Sequence, residues 1–435
     1  MEVTKDISER KIAQVAALAG LGSYLDYFDF FISIVASGTV WPIAFFKGLP
    51  VNEAYAVSLL AFAVTYFVRP IGGVVFGHVG DTAGRRKGLS WNLIIIGLGS
   101  LGIALMPGVS AVGAGLAAVG LMLMRVVQGI GFGGEFGGAA SWIGEFAQKS
   151  KWRTFWQSWT LLPVPLGSAT SGVIFALMSS TLPRAEFLDW GWRVIFVIGF
   201  VVSLVGAGIR YSLGESPMFQ AAARNAKERV AVPISELFRE KWKTVLLMML
   251  LVMTNIGGGT IVTPLALQYL IALHVPLAAA ALAQSIGYFL SIPVGIVVGI
   301  WASRSARKKL FLIGGYLWLI VTLYPFFYAL GTKNISLIPL MWLLNLVGGT
   351  TAGAVIPSLF TEAFPTKYRY TGSGLAYQFG SVMVGIIVTL FYAPVLLLKG
   401  PIGTVPYMEV FYTILTAFQI VLAIFFIKDR KELPE

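Results

Sequence analysis

Twelve apolar stretches dominate the sequence, at about 12–46, 54–76, 88–106, 114–145, 153–181, 192–213, 243–272, 277–301, 310–330, 336–362, 372–398 and 405–427. A helix crosses the hydrocarbon of a bilayer with about 20 such residues. Twelve crossings use most of the 435 residues, leaving short loops, one longer linker and no room for a large soluble domain. Only 12% of positions are charged, about half the share of a soluble domain. A cytosolic enzyme and a secreted disulfide scaffold are thereby excluded. With no cysteine and only His78 and His274, no disulfide, thiolate metal site or cysteine nucleophile can form, and neither a metal nor a cofactor is expected. The first apolar stretch follows a dozen polar residues and outruns the 7–15 residues of a signal-peptide core. It reads as a retained first span.

The basic residues give the expected orientation. Of 32 Lys and Arg, 25 fall at the N-terminus, the C-terminus and the loops leading from even to odd spans, five fall on the opposite side, and Arg69 and Arg125 lie inside spans. Positive charge collects on the cytoplasmic side of membrane proteins, so both termini are expected there, in a plasma membrane. The same distribution accounts for the net charge of +12 without a nucleic-acid partner. The longest polar stretch, 214–242, separates an N-terminal six-helix bundle (1–213) from a C-terminal one (243–435). Its periodic apolar positions among mixed charges suggest short amphipathic helices at the membrane surface.

The two halves repeat one another at an offset of about 217–222 residues. Gly77-His78-Val79-Gly80-Asp81-Thr82-Ala83-Gly84-Arg85-Arg86-Lys87 after span two corresponds to Gly299-Ile300-Trp301-Ala302-Ser303-Arg304-Ser305-Ala306-Arg307-Lys308-Lys309 after span eight. Glu145-Phe146 with Arg153 corresponds to Glu362-Ala363-Phe364 with Arg369. A duplicated six-helix unit is the architecture in which substrate binds at the midplane and the bundles rock around it.

The loop after span two resembles the signature Gly-x-x-x-Asp-x-x-Gly-Arg-[Arg/Lys] of the major facilitator superfamily. Within it, Arg69-Pro70-Ile71-Gly72-Gly73, Arg125-Val126-Val127-Gln128-Gly129 with Gly133-Gly134-Glu135, and Thr361-Glu362-Ala363-Phe364-Pro365-Thr366-Lys367-Tyr368-Arg369 resemble the metabolite:proton symporters, a group related to the sugar porters. The resemblance implies an all-α fold of twelve transmembrane helices in two pseudo-symmetric bundles. It also implies proton-coupled transport, with Asp81, Arg85, Arg86, Glu145, Arg153, Glu362 and Arg369 latching the cytoplasmic side in the outward-facing state. Ser303 and Ala306 stand where the second copy would carry Asp and Gly, so the C-terminal latch is expected to be weaker and to lean on Glu362 and Arg369.

Five charges lie inside the first-half spans: Asp26, Asp29, Arg69, Arg125 and Glu135. At about 2.5–3.5 kcal/mol each they cost together about 15 kcal/mol unless paired or hydrated. Asp26 and Asp29 share one helix face and repel when both are charged, which favours proton uptake by one. Asp29 lies 18 residues above Lys11 and Arg125 lies 20 above Glu145, about 27 and 30 Å at the helical rise. At that common depth an Asp29–Arg125 pair is expected, either coupling protons to the bundle motion or permanently joining spans one and four; the sugar-porter resemblance implies such a pair. Gly129, Gly133 and Gly137 form one face of span four suited to close contact. Glu135 points away from it, either into the central cavity as a second proton or substrate site or buried and hydrogen-bonded. Arg69, about 18 Å into the membrane, either meets an anionic substrate or pairs with Asp26 or Glu135.

No Lys, Arg, Asp or Glu is expected within the C-terminal spans. That half offers Asn255, Gln268, Gln284, Asn345, Tyr377 and Gln378, facing Gln157 on span five, as candidate substrate contacts, and Gly257-Gly258-Gly259 is expected to break span seven. These side chains suit a small polar solute. The resemblance favours an organic acid or related metabolite; a sugar, carried by amides and an aromatic face, is the alternative, and uniport is the alternative to symport. A transport-dead sensor would carry an added signalling domain, and an embedded enzyme would need a nucleophile or metal set. The chain is expected to work as a monomer with substrate, protons and lipid as its only partners.

Overall fold

A computed structural model describes residues 7–212, 215, 233–305 and 307–429. Most of the 214–242 linker, and with it the expected surface helices up to residue 232, lies outside the described residues, as does Ala306. The described residues are almost entirely helical, and eleven helices are long and apolar enough to cross a membrane. The last runs Thr366–Phe426 but reverses at Gly400, where φ is +65°, a conformation that side chains with a Cβ disfavour. That turn divides it into spans eleven and twelve, and the twelve-span reading holds.

The first half comprises Glu9–Thr39, Val51–Thr82, Arg85–Leu105, Val109–Phe146, Val164–Thr181 and Arg184–Tyr211. The second comprises Ile234–Ala272, Leu277–Arg304, Lys308–Gly331, Ile338–Ala363 and the two parts of Thr366–Phe426. Between the halves, span two packs on span eleven and span five on span eight, two contacts that the repeat exchanges. Apolar side chains such as Leu105, Val321, Tyr328 and Phe425 are exposed, as the lipid-facing surface of a multi-pass protein must be.

Local chemistry sets the element ends. Gly84, at φ +113°, turns the chain sharply between spans two and three. The two N–H groups that open span three, on Arg85 and Arg86, donate to the Glu215 carboxylate at 3.1 and 3.2 Å, which satisfies donors a helix start leaves open. Span seven does not break at its glycines. It widens into a π turn over Gly258–Val262, and Thr260 and Thr263 hydroxyls donate to the Ile256 and Gly258 carbonyls at 2.9 and 3.2 Å, so the freed acceptors stay satisfied. The end of the linker is helical from Pro233 and kinks at Lys241. Before the kink, Glu236 and Glu240 hold Lys367 at 3.0 and 3.3 Å. Hydrogen bonds from Tyr368 and Lys367 keep the Glu240 carboxyl below its ordinary value.

The glycine face of span four is shared between two neighbours. A Cβ on Gly129 would meet the Thr65 carbonyl of span two at 2.6 Å and one on Gly133 the Arg69 carbonyl at 2.2 Å, whereas one on Gly137 would meet the Tyr370 carbonyl of span eleven at 2.5 Å. The helix is interrupted at Gly134, and its last three turns swing toward the other half.

Candidate functional site

A cavity of about 130 Å³ lies between the halves. Its wall carries Arg69, Tyr27 and Tyr66 from the first half and Asn255, Asn345 and Tyr377 from the second. A smaller chamber of about 30 Å³ adjoins it and is lined by Asp26, Glu135, Thr160 and Gln378; Tyr27, Phe30, Arg69, Leu161 and Tyr377 belong to both walls. Three expected contacts lie elsewhere. Gln157 donates to the Thr361 hydroxyl at 2.6 Å near the basic face, Gln268 accepts from Tyr392 at 3.0 Å, and Gln284 is fully buried off the cavity. Gln378 spans the halves, donating to the Phe132 and Gly133 carbonyls at 3.2 and 3.0 Å. Asn255 donates to the Gly349 carbonyl at 3.2 Å and Asn345 to Thr322 at 3.4 Å.

Arg69 forms no carboxylate pair among the described residues. Its guanidinium sits over the rings of Tyr66, Phe132 and Phe30, with 4.5, 5.0 and 5.2 Å to their centroids, and its Nε has no hydrogen-bond partner. Aromatic faces attract a cation while leaving its N–H groups unused. The expected pairing with Asp26 or Glu135 does not form. Asp26 is 3% exposed, and neither of its oxygens has a partner.

The expected Asp29–Arg125 pair is bridged rather than direct. Gln128, one turn beyond Arg125, donates to Asp29 at 2.6 Å and accepts from Arg125 at 2.5 Å. Ser100 also donates to Asp29, and Arg125 donates to Ser33 and to the Phe62 carbonyl at 2.9 and 3.3 Å. Asp29, Arg125 and Gln128 are fully buried, and none reaches the cavity wall.

Glu135 is paired by a residue that the charge count placed in a cytoplasmic loop. Arg210 is fully buried in span six and donates through both terminal nitrogens to the two Glu135 oxygens, one at 2.6 Å. It also donates to the Ala19 and Leu89 carbonyls at 2.7 and 3.2 Å. Gly22 permits this approach, because a Cβ there would lie 1.7 Å from the guanidinium. The signal was present: Gly199, Ser203, Gly206 and Arg210 recur at helical spacing, which puts the arginine on the small-residue packing face. The C-terminal half is not free of charge either. Glu409 lies within span twelve and is 7% exposed; the apolar stretch 405–427 itself contains it.

At the basic face the halves interlock. Asp81 pairs with Arg85, and Arg85 reaches Glu145 at 3.0 Å. Glu145 faces Arg369 of the second half at 3.6 Å. In the repeat, Lys308 pairs with Glu362, and Glu362 takes Arg153 of the first half at 2.5 Å. Asp81 accepts the Thr371 N–H at the start of span eleven at 3.0 Å, and Ser303 accepts the Phe155 N–H ahead of span five at 2.7 Å. Serine therefore makes the backbone contact that aspartate makes in the first copy, and Lys308 supplies its base. Arg86 turns the other way, to the Tyr211 carbonyl at 3.2 Å.

A family model of the Major Facilitator Superfamily matches residues 27–389. The chain belongs to this superfamily. The Escherichia coli K12 inner membrane metabolite transport protein YhjE is 33% identical over 386 residues, 87% of this chain and 86% of that one. The shikimate transporter of the same strain is 29% identical, covering 88% and 87%, and its proline/betaine transporter is 27% identical, covering 88% and 78%. Among solved structures, the proton:xylose symporter XylE bound to 6-bromo-6-deoxy-D-glucose shares the superfamily fold with a TM-score of 0.75 at 17% identity, covering 96% of this chain and 95% of its own. The E. coli xylose transporter in a partially occluded inward open conformation gives 0.74 at 16% identity, covering 97% and 99%. This superfamily member is a multi-pass membrane transporter of small molecules, not an enzyme.

Proposed function

We propose that this transporter is a proton-coupled symporter of a small solute bearing a carboxylate, working as a monomer by alternating access in a plasma membrane with both termini cytoplasmic. One observation carries the reading: the Arg69 guanidinium borders the central cavity without a carboxylate partner among the described residues. A buried cation is expensive until an anion meets it, and a carboxylate matches the planar fork of arginine. The sugar alternative is less well served, since the Asn255 and Asn345 amides are engaged by protein acceptors. The shikimate and proline/betaine relatives also point to carboxylate-bearing solutes. The interlocked basic face agrees with a state closed toward the cytoplasm, in which Asp26, Asp29 and Glu135 are the carboxylates available to couple protons.

A thermal-shift screen of organic acids, sugars and compatible solutes at two pH values tests this. An acid or zwitterion should raise the Tm of wild-type protein, with the shift lost in Arg69→Gln. A sugar that stabilises while every carboxylate fails would overturn the reading. Uptake by proteoliposomes then separates the modes: accumulation driven by an inward pH gradient marks symport, and equilibration alone marks uniport.

A further inference from the structure

Between two members of the basic-face latch stands a residue that is neither charged nor solvent-exposed. Arg369 faces Glu145 and the Thr371 N–H donates to Asp81; Tyr370, between them, is fully buried and carries its ring out of the second half into the first. Glycines of three spans make the hole that receives it. A Cβ on Gly80 of span two would fall on the Cδ2–Cε2 edge of the ring. One on Gly138 of span four would meet the Tyr370 hydroxyl at 2.6 Å and Cζ at 2.7 Å, and one on Gly88 of span three would meet the hydroxyl at 3.2 Å. The Arg85 guanidinium lies 5.9 Å from the ring centroid, where the face of an aromatic ring attracts a cation. The ion pairs of the latch come in two copies, but the ring comes in one. In the repeat, Arg153 and Phe155 hold the places of Arg369 and Thr371, so Thr154 holds that of Tyr370, and Ala302, Leu310 and Val355 hold those of Gly80, Gly88 and Gly138.

We infer that Tyr370 is a positioning residue of the closed basic face, a key whose ring seats the second half in a socket preformed in the first. Parting of the halves hydrates the charges of the latch, which offsets much of what the ion pairs gain on closing. For the ring it does the opposite: withdrawal brings aromatic surface into water and leaves a hole walled by glycine backbone. The ring therefore holds the closed state by shape and burial, and the three positions are glycine because a Cβ at any of them would take the ring's place. The charges are shared between both seams of the face, whereas the key belongs to the seam of spans two and eleven alone. The inference concerns the basic face and holds whatever solute the cavity takes.

Because the chain has no cysteine, thiol labelling of a single Thr361→Cys reports closure without any solute, and a failure here leaves the reading of the solute untouched. Thr361 meets Gln157 of span five, so the label reads parting of the halves and not a local gap at residue 370. Tyr370→Ala should raise labelling about tenfold, and Tyr370→Phe, which keeps the ring, should stay at the wild-type level. Gly80→Ala should raise it as well, since the three atoms nearest that Cβ all belong to Tyr370 and the first bundle itself is unobstructed. The double variant should label no more than Tyr370→Ala alone, because the methyl group obstructs only a ring that is present. In Tyr370→Ala, p-cresol, the tyrosine side chain as a free molecule, should refill the socket and lower labelling toward wild type, as small aromatics fill apolar cavities; in Gly80→Ala it should not. Wild-type labelling in Tyr370→Ala or Gly80→Ala, effects that add in the double variant, or a Phe variant as open as the Ala variant overturns the key, and Gly80→Ala decides the point even where Tyr370→Ala fails to fold. Indifference of Tyr370→Ala to p-cresol overturns the preformed socket.

Discussion

At the residue scale, the membrane-embedded charges fall into groups with different duties, and removal of a partner distinguishes them. Arg210 and Glu135 are satisfied by one another, so deleting either strands a buried charge. Breaking such a pair typically costs about 3–5 kcal/mol, whereas replacing both partners is far milder. Glu135→Gln and Arg210→Gln should each lower the unfolding temperature markedly, and the double substitution should recover part of the loss. A Glu135→Gln protein as stable as wild type would show that the pair has no structural role. The charges inside continuous spans were legible because an ionisable residue among apolar neighbours stands out; their partners were less so. Arg210 hid beside a basic loop, and Gln128 carries no charge to betray that it bridges Asp29 and Arg125.

At the element scale, span four does two jobs on either side of its interruption at Gly134. Gly133 lies against the span-two backbone within one bundle, while Gly137 lies against span eleven of the other. Alanine at each position should therefore fail differently. Gly133→Ala must push spans two and four apart and should destabilise the first bundle, seen as a lower Tm. Gly137→Ala leaves that bundle intact and obstructs only the approach of the halves, so it should hold the basic face open. Because the chain has no cysteine, a single Thr361→Cys reporter at the closed interface can read this: its labelling should rise about tenfold in Gly137→Ala, an open-state gain of about 1.4 kcal/mol. Equal labelling with and without the substitution would refute the assignment. The sequence showed a glycine stripe but not which neighbours it meets, because spacing defines a helix face and tertiary packing decides what covers each turn. The π turn in span seven was hidden for a related reason, since Thr260 and Thr263 let the glycines widen the helix instead of ending it.

At the scale of the whole molecule, duplication makes the latch at the basic face two-fold. Glu145 holds Arg85 of its own half and faces Arg369 of the other; Glu362 holds Lys308 of its own half and takes Arg153 of the other. The repeat was legible in the spacing of these acids and bases, but the strength of its second copy was not. Ser303 in place of Asp gave the expectation of a weaker second latch, yet a hydroxyl suffices to accept the Phe155 N–H, and Lys308 supplies the base that holds Glu362. The two copies should therefore carry comparable weight. Glu362→Gln leaves Lys308 and Arg153, 5% and 7% exposed, repelling one another in the closed state, and hydration relieves both once the halves part. Labelling of the Thr361→Cys reporter should rise at least tenfold, as it should in Glu145→Gln, and the double substitution should raise it further. If only Glu145→Gln opens the face, the second copy is vestigial and the expectation of a weaker C-terminal latch stands.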